Sequence, residues 1–454
     1  MKRVLIISWF FPPLRGIASL RAGKWAKYLP DAGYWPIVIT AEKSVYGDSD
    51  LPVELPRGEV HEVPYFDPLM KARKRVLPPP PPVSGPPKPS LDNRLREAVF
   101  RLGTRLAGPF ESRGCLTVPA RLPGFYEFWA LSCARVVEEV LRRYGGEVRA
   151  MVSSSGPPAS HLLALHVKRR HPEIRWVADF RDLWTRNPNF RGMFPFTCLE
   201  GALERRVLSQ ADAVVTVSEG LADALRPGCP AKVYVIENGF DEEDLDSIPA
   251  TVSGTGAFTL VYTGTIYVSR QDPAPLFAAL KALLSQRIVQ ESRRIQVRFL
   301  VTNRQGRDYL EELVESYGLR DTVRVEAALA HRDAIGIQKG ADALLLLERD
   351  PETSNDQGVL TGKVFEYLAT RKPILGVGFG PGGELGQLLG SSGLGNPLGR
   401  DTLRIRQTLE RMIAAKRAGT ADRLVTPDEE FIARFSRKKQ AARLAELLDS
   451  LSRD

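Results

Sequence analysis

Cysteine is scarce in this chain. The four in 454 residues (Cys115, Cys133, Cys198 and Cys229) lie far apart with no C-x-x-C spacing. That excludes a disulfide framework and a cysteine zinc site, and it fits a reducing cytoplasm. The five histidines (His61, His161, His166, His171 and His331) show no ligand spacing, although His161 and His166 share one predicted helix. The Asp-x-Asp triplet Asp48-Ser49-Asp50 sits in a polar loop and is too short to argue for a metal. Ser153, Ser154 and Ser155 have no assignable His–Asp partners, so nucleophilic serine chemistry is not indicated. No apolar run approaches the ~18 residues of a membrane span. The opening MKRVLIISWFFPPLRG is broken by Pro12 and Arg15 and reads as a buried first strand, not a signal peptide. With 43% hydrophobic and 26% charged residues, the chain is neither disordered nor fibrous.

What is abundant is positive charge, and it is concentrated. The net charge is +9, and between Tyr65 and Arg121 eleven Lys/Arg stand against four Asp/Glu. A patch of this kind suits an anionic membrane surface, a diphosphate-lipid or nucleic acid, or is simply a solvated arm. The segment lacks interleaved aromatics or a recognisable binding module, which argues against nucleic acid. Within it, Leu77–Pro89 holds eight prolines in thirteen residues and excludes a regular element.

Elsewhere short β-branched runs alternate with helical periodicity. Arg3–Ile7, Pro36–Thr40, Arg149–Ser153, Arg175–Phe180, Ala213–Val217 and Lys232–Ile236 read as strands, with helices between several of them. A second set follows the Gly/Ser/Thr-rich stretch at 251–256: Phe258–Thr263, Ile295–Val301, Thr322–Glu326, Ala343–Leu347 and Pro373–Val377. This rhythm predicts an α/β protein of two doubly wound, Rossmann-like domains. They span 1–245, with a basic insert at about 65–125, and 246–429; an amphipathic helix at 430–454 is free to cross back to the first domain. Ligands of such folds bind at the carboxyl ends of the strands, so the cleft between the domains is the expected site.

The most informative stretch is ALLLLERDPETSNDQGVLTGKVFEYLATRKPILGV. Thr361 offers a helix N-cap with Gly362 behind it. Lys363 then falls in the first turn, where the helix dipole disfavours a cation. A lysine placed against that field, beside open helix-end amides, suits a diphosphate. Glu366, three residues on, lies on the same face and could accept hydrogen bonds from ribose hydroxyls; the bland alternative is a surface Lys–Glu pair. In the first half, Asp179, Arg181 and Asp182 follow the strand WVADF, where a carboxylate could orient an acceptor or take its proton. The alternative there is a salt-linked turn.

GKVFEYLATRKPILGV resembles the donor-site helix of the retaining, family-four-type glycosyltransferases with the GT-B fold. Their motif is two glutamates separated by seven residues. Glu366 matches the second, and the first would fall at Gly358. SWFFPPLRGIASLRAGKWAKYL resembles the family's first strand and glycine turn, with Gly16 in the turn and Arg21 entering the helix. VSSSGPPASHLLAL, carrying Ser155 and His161, and VADFRDLW resemble a paired signature of enzymes that build bacterial surface polysaccharides. DAVVTVSEGLADAL and VIENGFD look like the last strands of the acceptor domain. VYTGTIYVSRQD resembles the opening of the donor domain, where Gly264, Thr265 and Arg270 would lie against the diphosphate.

The resemblance implies a retaining, metal-independent transfer of a sugar from a nucleotide-diphosphate sugar, UDP-linked, without a cofactor. The acceptor would be a saccharide, lipid-linked through polyprenyl diphosphate. The protein would be cytoplasmic, peripheral at the inner membrane face through its basic insert. Two other classes stay open: a GT-B-fold sugar-nucleotide epimerase, and a sugar-nucleotide-binding subunit that needs a partner.

Overall fold

Two all-parallel sheets form from the two sets of β-branched runs in the computed structural model, which describes residues 1–43, 51–66, 109, 113, 115, 120–187, 190–252, 254, 256–268, 270–285, 295–348, 358 and 360–453. Most of the basic insert, and Asp48-Ser49-Asp50 with it, lies outside these residues.

The chain divides into two compact units, the first made of Met1–Val217, Leu221–Ile236 and Ala441–Asp454. Among its described residues are seven strands: β1 (Lys2–Ile7), β2 (Tyr34–Ala41), β3 (Glu59–Val63), β4 (Val148–Ser154), β5 (Arg175–Phe180), β6 (Ala213–Thr216) and β7 (Lys232–Val235), in spatial order β3-β2-β1-β4-β5-β6-β7. β1, β2, β4 and β5 are almost wholly buried, because helices cover both faces of a parallel sheet. β3 reads EVHEV, an alternating and half-exposed edge strand with too little apolar character to be expected from sequence. Helices α1 (Ile17–Tyr28), α2 (Tyr126–Tyr144), α3 (Ala159–Arg170), α4 (Phe196–Gln210) and α5 (Glu219–Leu225) connect or follow the strands. The strand order reverses at β1/β4, so the carboxyl ends of β1, β4 and β5 flank the crevice where such sheets bind ligands.

The second unit comprises Ser218–Gly220 and Glu237–Gln440. Its described strands, β8 (Phe258–Gly264), β9 (Ile295–Val301), β10 (Val323–Ala327), β11 (Ala343–Leu347), β12 (Ile374–Val377) and β13 (Gly395–Pro397), are ordered β10-β9-β8-β11-β12-β13, with the reversal at β8/β11. Helices α6 (Glu242–Asp246), α7 (Ala274–Ser285), α8 (Arg304–Tyr317), α9 (His331–Gly340), α10 (Gly362–Thr370), α11 (Glu384–Ser391) and α12 (Thr402–Arg417) accompany them. β11, ALLLL, is buried along its whole length, as expected of a central strand.

The C-terminal tail is not one continuous helix from Glu430. It forms α13 (Glu429–Ala433) and α14 (Arg437–Leu451). At the break, Phe435 O accepts from Phe240 N (3.0 Å) and Phe240 O accepts from Arg437 N (2.8 Å). Backbone pairing with Phe240 thus replaces two helical bonds, satisfying groups that a continuous helix would have satisfied internally. Beyond it the chain does return to the first unit. Ala441, Leu444, Ala445, Leu447 and Leu448 share a core with Val4, Ile6, Trp25 and Tyr34, and Asp449 accepts from Tyr34 Oη (2.5 Å) and Lys2 Nζ (2.6 Å).

Candidate functional site

In the second unit, the carboxyl ends of β8 and β11 and the start of α10 meet at the topological reversal. Lys363, in the first turn of α10, is held there by three groups. Its Nζ donates to Tyr262 Oη at 2.7 Å, lies 4.5 Å from the centroid of that ring, and stands 3.7 Å from Glu348 Oε1. A cation over a partly desolvated aromatic face gains about 0.5–2 kcal/mol, which offsets its unfavourable place on the helix dipole. Gly264 makes room for it. Its φ is +123°, and a Cβ there would come within 3.3 Å of Lys363 Cε. A side chain at 264 would therefore strain the backbone and crowd the lysine.

Sequence reasoning missed the acid beneath this lysine. Glu348 follows β11 directly, and burial pushes its carboxyl up, against the opposing pull of Lys363 and hydrogen bonds from Gln271 and Thr361. Buried Gln271 braces it: Nε2 donates to Leu347 O and to Glu348 Oε1, both at 3.0 Å, while Oε1 accepts from Tyr267 N at 3.0 Å. Tyr262 completes the frame by donating to Thr265 O (2.6 Å); burial and Glu348 raise its phenol well above the ordinary range, so it stays protonated. The signal for Glu348 was a carboxylate closing an uninterrupted apolar strand, a costly place unless it is paired.

Two expectations here need correction. Thr361 is the residue before α10, but its side chain makes no capping bond; the hydroxyl is engaged with Glu348 instead. Nor do Lys363 and Glu366 form a surface pair, because their charged ends take partners on different elements. Glu366 Oε2 accepts from Gln338 Nε2 at 3.4 Å, and His331 Nε2 lies 3.9 Å from Glu366 Oε1. Gln338, on α9 and buried, also donates to Thr263 Oγ1 (2.9 Å), so the carboxylate is aimed from a second helix. Gly358 occupies the place of the family's first glutamate with φ +82°, a conformation that a glutamate would adopt only under strain. Its carbonyl accepts from Ser218 Oγ. Thr265 bonds Thr302 through their hydroxyls (2.7 Å), and Arg270 closes the turn after β8, its N donating to Tyr267 O (2.8 Å).

The first unit gathers the other expected residues at the carboxyl ends of β1, β4 and β5. Asp179 is fully enclosed. Arg21 donates to it through Nε (3.0 Å) and a terminal nitrogen (2.8 Å), neither side chain being exposed, and Ser154 Oγ adds a bond of 2.7 Å. A carboxylate so occupied does not itself meet solvent; its place is to tie α1 to β5. His161 is likewise inside, not at the surface. Its Nδ1 lies 2.8 Å from Ser153 Oγ, which also accepts from Trp176 Nε1 (2.8 Å). Burial pushes the imidazole down to about 3, so it is neutral at any physiological pH.

Ser155 is buried too, its N donating to Asp179 O (2.9 Å). Of the expected acids in this unit, Asp182 is the one whose side chain is half exposed. It pairs with Arg181 at 2.6 Å, and Arg181 packs against Gly156. Gly16 precedes α1 as its N-cap, with open space where a side chain would project. Nearby, Lys43 was not anticipated. Its Nζ donates to Trp9 O (2.6 Å) and Thr40 Oγ1 (2.9 Å), and burial lowers it to about 7.

No curated protein sequence matches the chain. Among solved structures it is similar to sucrose-phosphate synthase from Thermosynechococcus elongatus (TM-score 0.60, 14% identity, 99% of each chain covered). It is also similar to HepE of Anabaena, solved with UDP (TM-score 0.55, 15% identity, covering 99% of this chain and 100% of that one) and with UDP-glucose (TM-score 0.56, 14% identity, with the same coverage). Residues 89–244, which hold α2 through β7 of the first unit, match the family described as Glycosyltransferase Family 4, and the two parallel-sheet units together have the GT-B glycosyltransferase fold.

Proposed function

We propose that this protein moves a sugar from a UDP-sugar to a saccharide carried on polyprenyl diphosphate, with retention of anomeric configuration, at the cytoplasmic face of the membrane during assembly of a surface polysaccharide. The observation that carries the reading is Lys363, held over Gly264 at the start of α10 beside the β8/β11 reversal. In the reaction the bond from the anomeric carbon to the diphosphate oxygen breaks and a bond to the acceptor hydroxyl forms. Negative charge grows on the leaving diphosphate, where a cation and helix-end amides lower the barrier. Lys363 is the cation, Glu366 holds the ribose, and Arg270 is the second cation, from the turn after β8. The acceptor's proton passes to the leaving phosphate, so no side-chain base is needed. Arg181 and Asp182 orient the acceptor, and Asp179, through Arg21, positions the turn that carries them.

Calorimetry with UDP, GDP and an oligonucleotide, with and without chelator, tests the binding half of this reading: UDP binds and chelator changes nothing. Release of free nucleotide on adding donor and acceptor tests the transfer, and proton NMR of the product's anomeric signal tests retention. Binding without nucleotide release would leave a sugar-nucleotide-binding subunit.

Glu348 supplies a further prediction. Its negative charge lies beside the same lysine and opposes a bound diphosphate. Glu348→Gln is expected to tighten UDP binding several-fold above neutral pH. Burial raises the carboxyl of Glu348, so the charge is present at high pH and lost as pH falls. The advantage of the variant therefore shrinks on acidification. UDP titrations of both proteins across pH check it; a pH-independent ratio of affinities counts against the assignment.

A further inference from the structure

Three helices of the first unit, α2, α3 and α4, each end where the next strand, β4, β5 or β6, begins, so each runs antiparallel to that strand. Their amino-terminal turns therefore all lie at the carboxyl edge of the sheet, the edge that carries Ser155 and Asp182. Large apolar side chains are exposed at that edge. Phe128 (45% exposed) and Leu131 (72%) are on α2, Phe194 (78%) and Leu199 (51%) open α4, and Phe66 (58%) lies beside α2. Phe128 joins Phe66 to the start of α2, with ring centroids 6.4 Å from Phe66 and 6.3 Å from Phe125. The two helix starts are fastened together underneath. Arg121, four residues before Phe125, is buried on Glu200 of α4 through Nε at 3.0 Å and a terminal nitrogen at 2.9 Å.

We propose that this edge is a bilayer-docking face whose apolar side chains enter the headgroup boundary of a membrane containing anionic lipid. Charge commits it to that occupant. Exposed Arg135 lies one helical turn beyond Leu131, exposed Arg191 precedes Phe194 by three residues, and exposed Arg113 sits beside that stretch, its carbonyl accepting from Gly192 N at 3.0 Å. Apolar side chains within a basic rim bind an anionic bilayer by two additive terms, burial and surface potential. No helix among the described residues is long and apolar enough to cross a membrane, so attachment is peripheral. The position of the face also serves the reaction, since a lipid-linked saccharide would leave the bilayer next to Arg181 and Asp182. That purpose rests on the function proposed above, while the docking itself does not.

Flotation of the full chain with vesicles of phosphatidylcholine, with and without a third of phosphatidylglycerol, tests the face. The wild type is expected to float with the anionic vesicles, and the triple variant Phe128→Glu, Leu131→Glu, Phe194→Glu to lose at least tenfold of that recovery while binding UDP as before. A Phe128→Trp reporter is expected to shift its emission to the blue on adding anionic vesicles. Equal recovery of wild type and triple variant, or an unmoved Phe128→Trp spectrum, overturns the proposal. So does a wild-type dimer that the triple variant dissolves, which would make the face a contact between copies. Calorimetry with UDP reads the function separately: lost UDP binding with intact flotation rejects the function and keeps the face.

Discussion

Lys363→Ala is expected to lower nucleotide release from a UDP-sugar about 100- to 1,000-fold, the usual loss when one fixed donor to a developing anion is removed. The loss should fall mainly on kcat. Negative charge on the leaving diphosphate is larger in the transition state than in the bound donor, so a lysine facing it contributes more there. Folding should be little changed, since the lysine packs over Tyr262 and Gly264 without being part of either main core. Its removal also frees Glu348, whose raised carboxyl then loses its cation and takes up a proton still more readily. Lys363→Arg should recover little, because the planar fork of arginine cannot occupy the narrow space above Gly264 as an ammonium does. Glu366→Gln is the contrast: a residue that holds the ribose equally in ground and transition states should raise KM and leave kcat nearly alone. Steady-state kinetics with thermal melts read all three, and a Lys363→Ala enzyme within threefold of wild type would falsify the assignment of this lysine to the diphosphate.

How much of this was legible in the sequence depends on the range of the interactions. The strands that make both sheets could be read because a parallel sheet buried on both faces leaves apolar runs such as LLLL at 344–347. Lys363 could be read because the conflict between a lysine and a helix start is local. What holds Lys363 could not. Tyr262 reaches it from the other side of the β8/β11 reversal, about a hundred residues away in sequence, and Gln271 acts only through the Glu348 beside it; neither carries any local sign of that role. The same limit explains Gln338, which aims Glu366 from a different helix. Thr361 was read as a cap by residue type, yet a half-buried carboxylate within reach claimed its hydroxyl. The tail read as one helix because its apolar spacing runs through 434–436, and the backbone of Phe240, nearly two hundred residues earlier, interrupts it.

Asp179 makes the sharpest case of a residue whose type and position suggest chemistry while its surroundings assign it another task. Both oxygens face Arg21 in a bidentate pair, Ser154 adds a third bond, and the guanidinium lies 4.4 Å from the Trp25 ring centroid. Removing either partner strands an uncompensated buried charge, which costs about 3–5 kcal/mol. Arg21→Met and Asp179→Asn are each expected to destabilise the protein by that much, and melting should fall by about 10 °C for a unit of this size. The double variant should lose less than either single change, because neither charge is then left alone. Differential scanning calorimetry on the four proteins closes the cycle. Activity separates the two roles of the aspartate. As a positioning group it should leave the double variant with measurable nucleotide release at a temperature where that variant is folded. Were Asp179 the group that handles the acceptor, Asp179→Asn would abolish transfer while melting with the wild type, and Arg21→Met could not rescue it.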